Sequence, residues 1–170
     1  LLFLFLFPIF VFGQYTSIPD SMFEQRLIDL GYDTIHDGQV LTTDIVNIDT
    51  LILIPPLGGF FVAIPYNTIS DFTGIEDFIN LTYFYCRYNS ITSLDLSYNT
   101  LLNFLDCSGF HNGYISMGQL TSLNINQNIF LDTLKCSGNQ LDSLNVSQNI
   151  NLKSLVFGKT IFNPMGNDYS

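Results

Sequence analysis

A chain of 170 residues with 47% hydrophobic content is long enough for one domain with a packed core, which excludes a disordered tail. Fifteen acidic side chains against five basic ones give a formal charge of -10, so the mean field repels phosphate backbones and anionic membrane surfaces. There is no basic run and no RNA-binding aromatic pattern; nucleic acid is not an expected partner, and proteins, neutral polymers and cations remain.

The first stretch, LLFLFLFPIFVFG, is uncharged and apolar, ends in a small residue and gives way to polar QYTSIPD. It is shorter than the roughly 20 residues a membrane-spanning helix needs. Val11-Phe12-Gly13 offers a small-x-small cleavage site before Gln14, so residues 1–13 are expected to be a signal peptide. The start at Leu, with no Met and no basic leader region, points to an N-terminally truncated leader. A buried apolar strand or a retained anchor is the competing reading.

Next, IPDSMFEQRLIDLGYD places Asp20 as an N-cap, Phe23, Leu27 and Leu30 at helical spacing, and Gly31 as a stop. One short helix over about 20–30 is expected. Asp33-Thr-Ile-His-Asp37-Gly38, with Asp44 twelfth from Asp33, has some of the spacing of a calcium loop. Ile35 at its third position cannot ligate, so a solvated turn is the expectation. His36 and His111 lie far apart with no third ligand at metal spacing, and no metal or small-molecule cofactor is expected.

From residue 48 onward a repeat takes over. Cys86 and Cys107 are 21 residues apart and Cys107 and Cys136 are 29 apart. The leucines keep the same count, from Leu81 to Leu102, Leu131 and Leu152. Each unit reads L-x-x-L-x-C, then L/I-x-x-L-x-L/I/V and an Asn. Alternate strand residues point the same way, so Phe84 and Cys86, like Leu134 and Cys136, face one interior. One coil cannot bury its apolar edge alone; coils stack about 4.8 Å apart as parallel strands. Two strands per coil are expected, with corners at Asn99, Asn128 and Asn149 and at Asn89 and Asn139, where Asn accepts the bend and can bond the neighbouring coils. Upstream the frame is looser: Ile48-x-x-Leu51-x-Leu53 fits a first strand, and Ile69, Phe72, Ile75 and Phe78 rejoin the period.

The pattern L-x-x-L-x-C-x-x-N-x-L resembles the leucine-rich-repeat consensus, and its Cys-bearing form with LTSLDLS-N is similar to secreted bacterial leucine-rich-repeat proteins of the internalin-like kind. The resemblance covers roughly residues 17–157. It implies an α+β repeat solenoid, a leucine-rich-repeat stack of parallel β-strands with an N-terminal helical cap over 14–47, used for binding. It names no ligand. The solenoid is expected over 48–160, with insertions near 54–68, where prolines and Gly58-Gly59 argue for a loop, and at 110–117. Deleting FHNGYISM turns DCSGFHNGYISMGQLTSLNI into DCSGGQLTSLNI, which matches KCSGNQLDSLNV without a gap. Residues 161–170 read as a truncated C-terminal segment, after which the resemblance implies further repeats or an anchoring segment.

The three cysteines share one column and are expected to be reduced, buried thiols; their parallel Cβ vectors suit a disulfide poorly. Ser93, Ser122 and Ser143, like Asp95, Asn124 and Asn145, form a regular polar face. Such an array could match a crystalline lattice, although a solvated sheet face is the common case. No nucleophile, phosphate loop or acid–base pair appears, so an enzyme is not expected. The other outward face is uneven: Tyr83, Tyr85 and Arg87 in one coil, Phe104, Asp106 and Ser108 in the next, with Tyr88 at the edge. Exposed aromatics of this kind mark a binding surface unless an insertion folds over them. The candidate site is therefore Tyr83, Tyr85, Arg87, Tyr88, Phe104 and Asp106, with Phe110, His111 and Tyr114 of the insertion at its rim. The expected function is an exported, non-catalytic module, secreted or at the cell surface, that binds an extracellular protein or glycan. Contact with a membrane would come only through anchoring of a longer chain. The alternative is a structural spacer or surface-display segment of a larger secreted protein.

Overall fold

The computed structural model describes residues 13–55, 68–109 and 118–158. The expected leader up to residue 12, the insertion core at 56–67, the 110–117 insertion and the segment from 159 lie outside the described residues.

Strand β1 (Tyr15–Ser17) leads into helix α1 (Ser21–Asp29), and β2 (Gln39–Leu41) runs directly into a one-turn helix α2 (Thr42–Ile45). Asp20 caps α1 as its position implies: Oδ1 accepts the N–H groups of Met22 and Phe23, both at 2.9 Å. At the other end Gly31 adopts φ +80°, and Tyr32 N–H donates to Leu27 O at 2.9 Å, closing the helix with a left-handed residue. The second carboxylate oxygen of Asp20 accepts Ser70 N–H at 2.9 Å, Ser70 Oγ–H at 2.7 Å and Asp71 N–H at 3.1 Å. Desolvation pushes this carboxyl up, but the bonds from Ser70, Phe23 and Met22 outweigh it and hold the group below the usual carboxylate range. One side chain thus starts the helix and ties it to the repeats.

The segment read from sequence as a solvated turn, 33–44, is more ordered than that. It supplies β2, which pairs antiparallel with β1 (Tyr15↔Leu41, Thr16↔Val40, Ser17↔Gln39). Each strand has three residues, so alternation has a single inward beat, Thr16 or Val40, and gives no periodic signal. Glu24, on the buried side of α1 and only 1% exposed, anchors the turn. Its Oε1 accepts the N–H groups of Asp37, Gly38 and Gln39, and His36 Nε2 lies 2.9 Å from Oε2.

The repeats then build the body. Strands β3 (Thr50–Ile52), β4 (Tyr83–Tyr85), β5 (Ser93–Asp95), β6 (Phe104–Asp106), β7 (Ser122–Asn124), β8 (Thr133–Lys135) and β9 (Ser154–Val156) follow in order. The first strands of the coils form one parallel sheet, β3-β4-β6-β8-β9, and β5 pairs with β7 in a second. Register follows the leucine count: Leu51↔Phe84, Phe84↔Leu105, Leu105↔Leu134 and Leu134↔Leu155. Leu51, Phe84, Leu105 and Leu134 are fully buried, each contributing about 1.5–3 kcal/mol relative to exposure. Leu155, on the edge strand β9, is 45% exposed, whereas Leu51 on the opposite edge strand β3 is buried.

One expectation needs correcting. The third coil does not form a second strand at Ser143–Asn145: Leu144 and Val146 are only partly buried, so the burial that holds a register is missing there. Ile69, Phe72, Ile75 and Phe78 are buried on the period, with Ile75–Asp77 forming a 3-10 turn. Phe72 links the two ends of this region, with its ring 5.3 Å from Phe23 of α1 and 5.4 Å from Phe84 of β4, both edge-on.

The corner asparagines hold adjacent coils together. Asn128 Nδ2 donates to Leu96 O at 3.0 Å and Asn99 O at 2.7 Å, and Asn149 Nδ2 to Ile125 O at 2.9 Å and Asn128 O at 3.0 Å. Asn89 and Asn139 bridge at the opposite corner. Cys86, Cys107 and Cys136 are free and buried. Burial pushes the Cys136 thiol up to about 11 and the other two well above their usual value. A thiolate is therefore both inaccessible and scarce at neutral pH. A disulfide-exchange reagent should titrate none of the three thiols in the native chain and all of them in denaturant; rapid native modification would contradict the buried column.

Candidate functional site

The outward face of the five-stranded sheet has two columns, fixed by register. One runs Thr50, Tyr83, Phe104, Thr133, Ser154 and the other Ile52, Tyr85, Asp106, Lys135, Val156. Three of the expected aromatics meet here. The Phe104 ring lies 4.7 Å from that of Tyr85 and 6.4 Å from that of Tyr83, both tilted by about a third of a right angle. Tyr83 is 43% exposed, while Tyr85 and Phe104 are half-buried against each other. Lys135 Nζ sits 5.5 Å from the Phe104 centroid, and the Arg87 guanidinium sits 5.1 Å from the Tyr88 centroid. Two cations thus flank an aromatic cluster on a chain of charge -10.

Asp106 departs from expectation. It stands in the outward column but is only 5% exposed. It is short, and in register it lies between the long side chains of Tyr85 and Lys135, which flank it one coil to either side. Its Oδ1 accepts Ser108 N–H at 3.2 Å and its Oδ2 lies 3.9 Å from Arg87 Nη1. Asp106 therefore supplies a negative charge beside Arg87 and does not present itself to a ligand. Ile52, 52% exposed at the start of the same column, extends the apolar surface toward β3. Its strand was expected from Ile48-x-x-Leu51, but an isolated outward Ile gives no functional signal.

Tyr88 has φ +67°, the one non-glycine residue with positive φ among those described. The equivalent residue of the third coil is Gly138, at φ +71°. A bulky side chain in the left-handed region costs about 1–2 kcal/mol, and that cost is borne where a tyrosine joins the aromatic face. Tyr88 N–H donates to Ser108 O at 2.9 Å, which places it beside the point where the 110–117 insertion leaves the frame. Phe110, His111 and Tyr114 of that insertion lie outside the described residues. Its two ends are adjacent: a Cβ built on Gly109 would stand 2.5 Å from Gly118 Cα, so the two Cα atoms are about one peptide unit, ~3.8 Å, apart.

The opposite polar face satisfies itself. Asp95, Asn124 and Asn145 each accept the N–H two residues on, and Asn124 Nδ2 donates to Asp95 Oδ1 at 2.9 Å. Among the described residues no three His, Cys, Asp or Glu side chains are grouped to hold a metal, and no helix is long and apolar enough to cross a membrane.

A stack of parallel strands with 21-residue coils, buried leucines and corner asparagines defines a leucine-rich-repeat solenoid of internalin-like fold. Among solved structures the chain is similar to an internalin, InlF of Listeria monocytogenes, with a TM-score of 0.50 and 17% identity over 83% of this chain and 44% of that one. It is also similar to the functional domain of InlJ of the same organism, described as including a cysteine ladder, with a TM-score of 0.43 and 20% identity over 89% of this chain and 40% of that one. For internalin C2, again from Listeria monocytogenes, the TM-score is 0.36 at 15% identity, over 92% and 94% of the two chains. The chain spans less than half the length of the first two. No family model and no curated protein matches it.

Proposed function

We propose that the chain is an exported, non-catalytic leucine-rich-repeat module that recognises an extracellular protein or glycan through the outward face of its five-stranded sheet. The observation that carries this reading is the cluster of Tyr83, Tyr85 and Phe104 flanked by Arg87 and Lys135. Rigid aromatic anchors offer contact area at low entropic cost, and cations at their margin supply polar contacts to a partner. The strained Tyr88 favours the same face, since a glycine there would relieve the backbone. The 110–117 insertion forms the rim in this reading, because its ends lie next to Ser108 and Tyr88. Residues 1–13 act as the export leader and 14–47 as a cap over the first coil, a role supported by the packing of Phe23 on Phe72 and Phe78.

Docking would desolvate the aromatic centre while Arg87, beside Asp106, and Lys135 meet acceptors at the edge. The test is a screen of the purified chain against immobilised extracellular proteins and glycans, repeated with Tyr83→Ser, Tyr85→Ser and Phe104→Ser combined. The strongest binder should lose at least ~100-fold in affinity, as expected for removal of central anchors, with the unfolding midpoint nearly unchanged. Undiminished binding by the triple variant refutes the placement.

A further inference from the structure

A second surface stands out at the corner where each coil turns into the next first strand. Counting back four residues from the paired positions Tyr83, Phe104, Thr133 and Ser154 gives the column Ile79, Thr100, Ile129, Ile150, and counting back three gives Asn80, Leu101, Phe130, Asn151. Every coil places at least one large apolar residue here. Ile79, Leu101, Ile129, Phe130 and Ile150 are between 42% and 80% exposed, and Tyr98 beside them is 69% exposed. The solenoid pattern does not require this. Corner residues need only turn, and Thr100, Asn80 and Asn151 show that polar residues serve equally well.

The ridge is stiff. Asn103 Nδ2 donates to Phe130 O at 3.0 Å and Asn151 Nδ2 to Ile129 O at 2.8 Å, while Asn99, Asn128 and Asn149 bind the same corners from inside. Docking against it would freeze little backbone. It is also nearly free of net charge. Gln127 and Gln148 flank it on one side and Thr82 and Asn103 on the other. Asp132 is paired with Lys153 at 2.6 Å, while Asp77, which accepts Thr16 Oγ1–H at 2.6 Å, keeps its negative charge at the Ile79 end.

We propose that this ridge is the contact between two copies of the chain, packed antiparallel about a two-fold axis. Three observations select a second copy. Two molecules of charge -10 repel each other, so self-association is least opposed along a strip of low charge, and the ridge, with Asp132 paired to Lys153 and Asp77 at one end, is such a strip. Both copies have the same coil spacing, so side chains of one fit between those of the other along the full length. Ile79 then meets Ile150, and the second coil meets the third, in the self-complementary pattern of a two-fold interface. The six residues, if wholly covered, would bury on the order of 650 Å², a large part of the roughly 800 Å² per partner of a standard interface.

The test is sedimentation velocity of the whole chain from about 1 to 200 µM, a range that brackets weak to moderate dimers. The comparison is the double variant Ile129→Thr with Phe130→Asn, which installs residues the chain already uses in these columns. The parent should dimerise, and the variant should raise the dimer dissociation constant at least ~10-fold while unfolding at nearly the same temperature. Added salt should strengthen the parent dimer by screening like charge. A parent that stays monomeric throughout, a variant that dimerises as tightly, or a dimer that weakens with salt each overturns the proposal. Loss of hydrophobic-dye binding in the variant of a monomeric parent would assign the ridge to a different occupant.

Discussion

Replacing Glu24 by Ala should lower the folding free energy by about 3 kcal/mol, the range for removing a buried, charged acceptor that serves several donors. At this chain length that corresponds to an unfolding midpoint lower by roughly 6–12 °C. On sequence grounds Glu24 is an ordinary helix residue in EQRLID. In the structure it is 1% exposed, and one of its oxygens accepts three consecutive backbone N–H groups, from Asp37 to Gln39. Truncation leaves those donors unpaired, releases His36 from Oε2, and frees the turn that aligns β2 with β1. Glu24→Gln should lose less, because an amide oxygen can still accept from the turn. The check is urea unfolding of parent and both variants. A loss under ~1 kcal/mol for the alanine variant, within the range of ordinary surface substitutions, would show that the turn holds itself.

The contrast between Glu24 and the leucines explains what the sequence makes legible. Leu81, Leu102, Leu131 and Leu152 repeat at fixed intervals, and repetition survives the loss of any one position, so the stack and its register follow from counting. Asp20 and Gly31 are legible for a different reason: each has a local backbone role set by its own chemistry. Glu24 has neither advantage, since its partners lie thirteen to fifteen residues away and nothing in their identity announces them. Asp106 fails similarly. Alternation places it outward correctly, but its burial depends on the lengths of its cross-strand neighbours, Tyr85 and Lys135, which a one-coil pattern does not weigh. Tyr88 was legible as an aromatic at the edge of the face, but its left-handed backbone becomes a signal only when its column partner Gly138 is set beside it. The corner ridge was the least visible, because its apolar residues alternate between two adjacent columns and neither column is apolar throughout.

Gly118→Ala should be the most damaging single-atom addition in the repeats, costing about 3 kcal/mol or more, at the upper end for overpacking a filled site. A Cβ on Gly118 would lie 1.8 Å from Gly138 O, 2.7 Å from Gly138 C and 2.8 Å from Asn139 Oδ1. The first two are backbone atoms of the next coil, so no rotamer change relieves the clash and the coils must separate. Separation would strain the bonds that close this corner, Gln140 N–H to Leu120 O at 2.9 Å and Asn139 Nδ2–H to Cys107 O at 2.9 Å. Removing the entire insertion beside it should be far milder. Gly109 and Gly118 already stand about one peptide bond apart, ~3.8 Å between Cα atoms, so excising 110–117 joins two positions that the fold holds together. A shorter connection also reduces the loop entropy lost on folding. Thermal unfolding followed by circular dichroism compares the two directly. The methyl group should lower the midpoint by ~6 °C or more, whereas the eight-residue excision should shift it by only a few degrees. If the order were reversed, the insertion would be part of the framework and not an excursion from it, and its role at the rim of the aromatic face would fall with that result.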